Sequence, residues 1–212
     1  MSASLHIETF TLGDWMTNCY VVRVASGACW IVDAGFDPAP MLRYIDEHGL
    51  SPRQVVLTHA HVDHIAGLDA VRKRWPELPI LIHEAEREFL TDVALNLSIV
   101  LEQPIIAPDA TDTLAHGQML TLDGIAFEVR HTPGHSPGGI TLYQREHGVA
   151  LAGDALFAGS IGRTDFPTSD HAALMRAIRE QLLTLPNETR VLPGHGPETT
   201  IGRERVGNPF LQ

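Results

Sequence analysis

Apolar residues in the first third of the chain alternate or form short continuous runs, which is the pattern of β-strands. Strands are predicted near 5–12, 18–25, 28–34 and 55–57. Asp37-Pro38 has the character of an N-cap and first helical position, and Gly49 that of a C-terminal cap, so a helix is predicted between them. A second helix is predicted from Leu68, Val71 and Trp75. Residues 93–106 are predicted as a buried helix, with a lid or a dimer face as the alternatives.

The second half of the chain repeats this order of strands followed by a helix. Strands are predicted near 118–122, 125–130, 139–145, 148–152 and 190–192. Apolar residues at helical spacing predict a helix from about 171 to 185. A length of 212 residues favours one domain, residues 1–212, of the α/β (α+β) class, with helices outside packed β-sheets.

Composition and charge narrow the class of protein. Fifteen basic against 26 acidic residues give a net charge of −11, which argues against a nucleic-acid partner. The first residues lack the features of a secretory signal, and no apolar run reaches the ~18 residues of a membrane span. Cys19 and Cys29 lie in strands flanking a predicted turn at Ser26-Gly27, which pairs residue 24 with 29 and 19 with 34, so the two thiols do not face each other. A cytoplasmic protein with reduced thiols and no membrane partner is expected.

A cluster of ligand-type residues follows the strand at 55–57. The run His59-Ala60-His61-Val62-Asp63-His64 would be costly to bury without a metal. If the strand continues through His61, then His59 and His61 point to the same side and can bind one cation. Asp63 and His64 lie past the bend and are expected to face a second cation nearby.

Three further candidates follow predicted strands downstream. Pro133-Gly134-His135 and Pro193-Gly194-His195 each present a histidine from a tight turn, and Asp154 ends the strand at 148–152. Together with the first cluster these give five histidines and two aspartates, which suit two divalent ions. Zn²⁺ is the expected metal, and Fe²⁺ and Mn²⁺ accept the same donors.

The seven residues divide into two sets with one shared carboxylate. We assign His59, His61 and His135 to one metal. Asp63, His64 and His195 are assigned to the other, with Asp154 as the bridge.

A serine hydrolase is excluded. Gly134-His135-Ser136-Pro137-Gly138 matches the G-x-S-x-G nucleophile motif. That motif uses the backbone N–H after the serine as an oxyanion donor, and Pro137 has none.

The run from His59 to His64, with His135, Asp154 and His195 downstream, resembles the metallo-β-lactamase superfamily. The resemblance covers nearly the whole chain and implies an αββα sandwich with two metals at one edge of the sheets. Both cysteines precede the motif, unlike in antibiotic-degrading relatives that use a downstream cysteine as a ligand.

Residues 157–167 are similar to a loop of glyoxalase II-like hydrolases, and the short C-terminal stretch is similar to compact type II glyoxalases. In glyoxalase II a basic residue of this loop contacts glutathione, and Arg163 is the matching, substrate-binding position. The alternative role for Arg163 is a structural salt bridge with Asp165.

The resemblance implies hydrolysis of a glutathione thioester of the S-lactoylglutathione type. Metal binding lowers the pKa of water to about 7, and Asp63 would orient the resulting hydroxide between the metals. A thiolate leaving group departs without a general acid, which fits a set of motifs with no spare Glu, Tyr or Lys.

Two other functions stay open. A persulfide dioxygenase with one Fe²⁺, held by His59 or His61 with His135 and Asp154, is favoured by the segment Gly162–Phe166. A non-enzymatic, metal-stabilised binding module is disfavoured because no ligand position is lost.

Overall fold

A computed structural model of the protein describes residues 4–212. These residues form two compact units. The first comprises the chain up to Leu114 together with Thr121–Ile125, and the second comprises Ala115–Leu120 and Ala126–Gln212.

The first unit contains a six-stranded sheet in the order β1-β2-β3-β4-β5-β6. Its strands are β1 (Leu5–Leu12), β2 (Thr17–Val24), β3 (Ala28–Val32), β4 (Ser51–Val56), β5 (Ile80–His83) and β6 (Asp112–Leu114). β1, β2 and β3 pair antiparallel, whereas β3, β4, β5 and β6 pair parallel. The carboxyl ends of these four parallel strands therefore lie at one edge of the sheet.

Helices pack on this sheet through their apolar faces. They are α1 (Ala39–Glu47), α2 (Val62–Ile65) and α3 (Leu68–Arg74), and 3₁₀ turns occupy Glu84–Glu86, Glu88–Leu90 and Ser98–Val100. Met41 and Ile45 of α1 are buried in the same core cluster as Ile31 and Val55 of the sheet. Gly49 follows α1 at φ +58°, a left-handed conformation that glycine adopts without strain.

Eight more strands follow along the chain. They are β7 (Met119–Leu122), β8 (Ile125–His131), β9 (Ile140–Gln144), β10 (Val149–Gly153), β11 (Leu156–Phe157), β12 (Ser160–Ile161), β13 (Arg190–Pro193) and β14 (Thr199–Thr200). Six of them form a sheet in the order β14-β13-β10-β9-β8-β7, and β11 pairs with β12 in a short hairpin.

Two helices cover apolar residues of the second unit. α4 (His171–Ala177) continues as a π-helical segment (Ile178–Leu182), and α5 (Ile201–Gly207) is the last helix. The Asp170 carboxylate caps α4 by accepting the N–H of Ala173, 2.9 Å away. Leu174, Ile178 and Leu182 are buried together, as their helical spacing predicts.

One predicted helix is wrong. Residues 93–106 form only the 3₁₀ turn at Ser98–Val100, and Ile99, Val100 and Ile106 are 59%, 78% and 66% exposed. The buried side chain of Asn96 accepts the N–H of Ser98 and donates to the carbonyl of Ile105, which satisfies backbone groups without a helix.

The predicted register of the first hairpin is displaced by one residue. Cys29 pairs with Arg23 across β2 and β3, whereas the turn at Ser26-Gly27 predicted Val24. Cys19 and Cys29 are both free and buried, so the expected absence of a disulfide between them agrees with the structure. Within residues 4–212, no helix combines the length and the apolar character that crossing a membrane requires.

Candidate metal centre

The ligand-type residues of the first unit lie at the carboxyl ends of two adjacent parallel strands. Asp33 directly follows β3, and Thr58 and His59 follow β4. β4 ends at Val56, so the condition that this strand continues through His61 is not met. The rings of His59 and His61 nevertheless lie together, with centroids 4.7 Å apart and planes at 86°. An irregular buried loop brings them together where a strand was expected.

Asp63 and His64 occupy the short helix α2 and are 6% and 0% exposed. His64 Nε2 lies 3.5 Å from Asp63 Oδ2. This separation exceeds the 2.7–3.2 Å typical of a hydrogen bond. It is close to the ~3.3–3.4 Å between two ligands of one tetrahedral ion with bonds of ~2.0–2.1 Å. The two donor atoms therefore fit a shared cation.

Asp33 orients His64. Its Oδ2 atom lies 2.8 Å from His64 Nδ1, and a carboxylate only accepts hydrogen bonds, so Nδ1 carries the proton and Nε2 presents its lone pair. The Thr58 N–H and hydroxyl each donate to the same carboxylate at 2.7 Å. Asp33 was not among the residues predicted from the sequence, although an aspartate directly after a buried strand was the signal that identified Asp154.

Other hydrogen bonds fix the loop and helix that carry these ligands. Thr17 donates its hydroxyl to Asp63 Oδ2 at 2.8 Å. The Ala60 N–H, between the two histidines, donates to the buried carboxylate of Glu86 at 2.5 Å. The Val62 N–H donates to the carbonyl of Asn96 at 2.9 Å. The sequence analysis missed all of these partners as well.

In the second unit each candidate ligand follows a strand of the same direction. β10 is parallel to β13, and β8 shares their direction because β9 is antiparallel to both β8 and β10. His135, Asp154 and His195 follow β8, β10 and β13, so all three lie at one edge of this sheet.

Asp154 is central to this group. Its Oδ2 atom lies 3.5 Å from His135 Nε2 and 3.6 Å from His195 Nε2. Both distances match the spacing of ligands on a shared ion, and one oxygen serves both imidazoles. Asp154 is therefore able to share an ion with either imidazole.

His135 is held from its other side. Its Nδ1 atom lies 2.9 Å from the carbonyl oxygen of Arg163, which fixes the tautomer with Nε2 as the acceptor. The Ser169 hydroxyl donates to the backbone carbonyl of His135 at 2.7 Å. The neighbouring Ser136 is 1% exposed, which agrees with the exclusion of a serine nucleophile.

The Arg163 side chain forms the salt bridge that was the alternative to substrate binding. Its Nε and Nη2 atoms each donate to a carboxylate oxygen of Asp165 at 2.6 Å, and the two side chains are 62% and 66% exposed. The hydrogen bond raises the pKa of Arg163 and lowers the pKa of Asp165. The guanidinium also lies 4.5 Å from the centroid of the Phe166 ring.

Imidazole nitrogens and carboxylate oxygens are donors that Zn²⁺, Fe²⁺ and Mn²⁺ all accept. All of these residues except His195 are buried or nearly so, and hydrogen bonds orient the side chains of Asp63, His64 and His135. The residues present in each unit therefore fit a divalent metal.

Comparisons with known proteins give the family. Residues 12–195 match the model of the metallo-beta-lactamase superfamily. The chain is 40% identical over 201 residues to the probable metallo-hydrolase YqgX of Bacillus subtilis, covering 94% of each chain. It is 34% identical over 209 residues to the hydroxyacylglutathione hydrolase GloC of Haemophilus influenzae, covering 98% of each.

Solved structures agree with this assignment. The BLEG-1 B3 metallo-beta-lactamase superposes with a TM-score of 0.93 at 41% identity, over 98% of this chain and 100% of that one. TTHA1623 in a di-iron-bound form superposes with a TM-score of 0.86 at 37% identity, over 96% of this chain and 100% of that one. ETHE1 from Myxococcus xanthus superposes with a TM-score of 0.77 at 26% identity, over 96% of this chain and 83% of that one.

The chain belongs to the metallo-β-lactamase superfamily, and the predicted mixed α/β fold of that superfamily is confirmed. Its relatives place it among the metallo-hydrolases, so it is an enzyme. The assignment of residues 1–212 to one domain stays a prediction.

Proposed function

We propose that this protein hydrolyses a glutathione thioester of the S-lactoylglutathione type with two divalent metal ions. His59, His61 and His135 would hold one ion, Asp63, His64 and His195 the other, and Asp154 would bridge them. The observation that supports this proposal is that Asp154 Oδ2 lies within 3.6 Å of Nε2 of both His135 and His195, so its carboxylate is able to share an ion with each. The extended similarity to GloC supports the thioester as substrate.

Bound metals would supply an acidified water and a Lewis acid for the thioester carbonyl. Asp63 is the residue placed to orient the attacking water, because the Thr17 hydroxyl fixes its carboxylate from one side. The thiol released has a pKa of about 8.5, so the thiolate leaves without a proton donor. The reaction therefore needs no Glu, Tyr or Lys as a general acid beside the candidate metal ligands.

Arg163 is proposed to bind an acidic group of the glutathione moiety. Its backbone carbonyl holds His135, while its guanidinium is exposed beside the ligand set of this unit. A substrate carboxylate would have to compete with the Asp165 carboxylate for the Arg163 guanidinium.

The metal is proposed to be zinc, with iron or manganese as alternatives that the same donors accept. We further propose a cytoplasmic enzyme whose partner is this small-molecule thioester, acting without nucleic acid or membrane. The similar structure of TTHA1623 in a di-iron-bound form favours iron.

A persulfide dioxygenase is the second candidate function. The segment Gly162–Phe166 favours it, and so does the structural similarity to ETHE1. That activity uses one Fe²⁺, and His135 and Asp154, 3.5 Å apart, would be two of its ligands.

The test measures hydrolysis of S-lactoylglutathione by the purified enzyme, before and after chelation and with Zn²⁺, Fe²⁺ or Mn²⁺ added back. Metal-dependent turnover is expected, and His59→Ala should abolish it while His48→Ala, on an exposed histidine, should not. Full activity of a folded His59→Ala enzyme would show the mechanism to be wrong. Oxygen uptake with glutathione persulfide, without thioester turnover, would establish the dioxygenase instead.

A further inference from the structure

A buried carboxylate outside the candidate metal centre accepts three hydrogen bonds. Glu204 of α5 is 1% exposed. Its Oε1 atom accepts the Thr199 hydroxyl at 2.5 Å, and its Oε2 atom accepts the Gly159 N–H at 2.8 Å and Asn208 Nδ2 at 2.9 Å. A carboxylate is costly to bury, and these donors offset that cost.

Asn208, one helical turn after Glu204, completes a grip on the β11–β12 hairpin. It is 0% exposed, and its Nδ2 atom also donates to the carbonyl of Ser160 at 2.9 Å. Glu204 thus holds the N–H of Gly159, and Asn208 holds the carbonyl of the next residue. We call this pair of side chains, Glu204 and Asn208, the hairpin clamp.

The clamped hairpin and the two residues after it contact every candidate metal ligand of the second unit. The Phe157 ring lies 6.2 Å from the His195 ring, edge to face. Gly162 packs so closely that a side chain there would overlap the carbonyl oxygen of Asp154. The carbonyl of Arg163 accepts the hydrogen bond from His135.

We propose that Glu204 and Asn208 are positioning residues, which set His135, Asp154 and His195 through the hairpin. This inference rests on the proposed function, because it requires these three residues to bind metal. A leucine at position 204 would fill the space but would leave the Gly159 N–H without its acceptor. What the carboxylate supplies is a fixed position for the hairpin.

A conservative and a disruptive variant of Glu204 distinguish two roles of this side chain, positioning the hairpin and merely filling space in the core. Glu204→Gln keeps the shape, and its amide oxygen can accept from Gly159 and Asn208 while its NH₂ donates to the Thr199 oxygen. Glu204→Leu and Asn208→Leu break the clamp. Glu198→Gln is the control, because Glu198 bonds to Arg190 on an exposed surface.

Zn²⁺ affinity, measured by competition with a chromogenic chelator, is the first readout, and hydrogen exchange at the Gly159 amide is the second. For Glu204→Leu, we expect Zn²⁺ affinity to fall by about 10- to 100-fold at one or both sites. We also expect the Gly159 amide hydrogen to exchange faster than the amide hydrogens of the core strands. Glu204→Gln and Glu198→Gln should stay within about threefold of wild type. Should Glu204→Leu fail to fold, Asn208→Leu carries the same expectation.

Wild-type Zn²⁺ affinity in a folded Glu204→Leu or Asn208→Leu variant would overturn the inference. So would a loss of affinity that Glu204→Gln reproduces, or a wild-type protein that binds no Zn²⁺. The proposed function fails separately, if the wild-type protein binds two Zn²⁺ ions but releases no thiol from S-lactoylglutathione.

Discussion

The Asp33 carboxylate lies 2.8 Å from Nδ1 of His64, and both side chains are almost fully buried at the edge of the first sheet. Asp33 has φ +60°, a left-handed conformation uncommon for a residue with a side chain. The hydrogen bonds from Thr58 and His64 hold it there. Asp33 therefore orients a candidate metal ligand through hydrogen bonds that the chain itself supplies.

Removing this carboxylate should weaken metal binding and also lower stability, because three buried donors lose their acceptor. Asp33→Ala frees the His64 ring to rotate, and we expect a loss of about 10- to 100-fold in Zn²⁺ affinity, measured by chelator competition. Asp69→Ala, on an exposed aspartate of α3, is the control and should bind as wild type does. Unchanged affinity in Asp33→Ala would mean that packing alone orients His64.

The candidate ligands could be predicted from sequence, whereas the residues that orient them could not. His59, Asp154 and His195 each follow an apolar run, and the end of a strand is a local property of the chain. Asp33 and Glu86 act on residues 31 and 26 positions away, so their roles depend on which strands and turns become neighbours. Hydrogen bonds of that range leave no periodic signal.

The errors in the predicted elements have related causes. A strand continuing through His61 was one way for His59 and His61 to face the same side, but the chain forms a loop there, held by Glu86 and Asn96. Residues 93–106 have the apolar content of a helix, yet the Asn96 side chain satisfies the backbone groups that a helix would use. In both places a buried polar side chain overrides the local pattern.

The two cysteines should be unreactive in the folded protein. Burial raises the pKa of Cys29 to about 12 and raises the pKa of Cys19 well above its ordinary value, so neither forms the reactive thiolate near neutral pH. We expect no thiol to react with a chromogenic disulfide at pH 8 within minutes, and two to react in guanidinium chloride. Rapid labelling of the native protein would show that one of these strands opens.

The Arg190–Glu198 pair should contribute a small stability that is lost in acid. The hydrogen bonds from Arg190 lower the pKa of Glu198 below 4.5, so the contribution is present above the unfolded pKa and disappears as the pH falls through the folded value. Since these side chains are 52% and 45% exposed, Glu198→Gln should lower the free energy of unfolding by only about 0.2–1 kcal/mol at pH 7.

Urea unfolding at pH 7, and again below the lowered pKa of Glu198, measures this difference. Glu188→Gln, on another exposed glutamate, is the control at both pH values. If Glu198→Gln lowers the free energy of unfolding by the same amount in acid as at pH 7, then its effect is due to packing and not to charge.

Asp165 is expected to compete with an acidic substrate for Arg163. Asp165→Asn removes the competing charge, so it should lower the KM for S-lactoylglutathione by roughly two- to tenfold and leave kcat unchanged. Added salt should reduce the difference, because the pair is exposed. An unchanged or higher KM would mean that the Arg163 side chain stabilises its loop through Asp165 and does not bind the substrate.

Gly35 lies where no side chain fits. A Cβ atom at this position would lie 2.6 Å from the backbone carbonyl oxygen of Asp63, and 3.4 Å from Cys19 Sγ. Gly35→Ala must therefore push away the helix that carries Asp63 and His64, because backbone atoms cannot rotate aside as a side chain does. We expect a loss of about 1–3 kcal/mol in the free energy of unfolding, together with weaker Zn²⁺ binding.

Gly207→Ala is the matched substitution, since nothing lies within 4 Å of a Cβ atom there. Placed in α5, it should raise stability by up to about 1 kcal/mol and leave Zn²⁺ affinity unchanged. Urea unfolding and metal titration of both variants separate the two effects. If Gly35→Ala loses stability but binds Zn²⁺ as wild type does, then α2 moves as a rigid piece that keeps the spacing of Asp63 and His64.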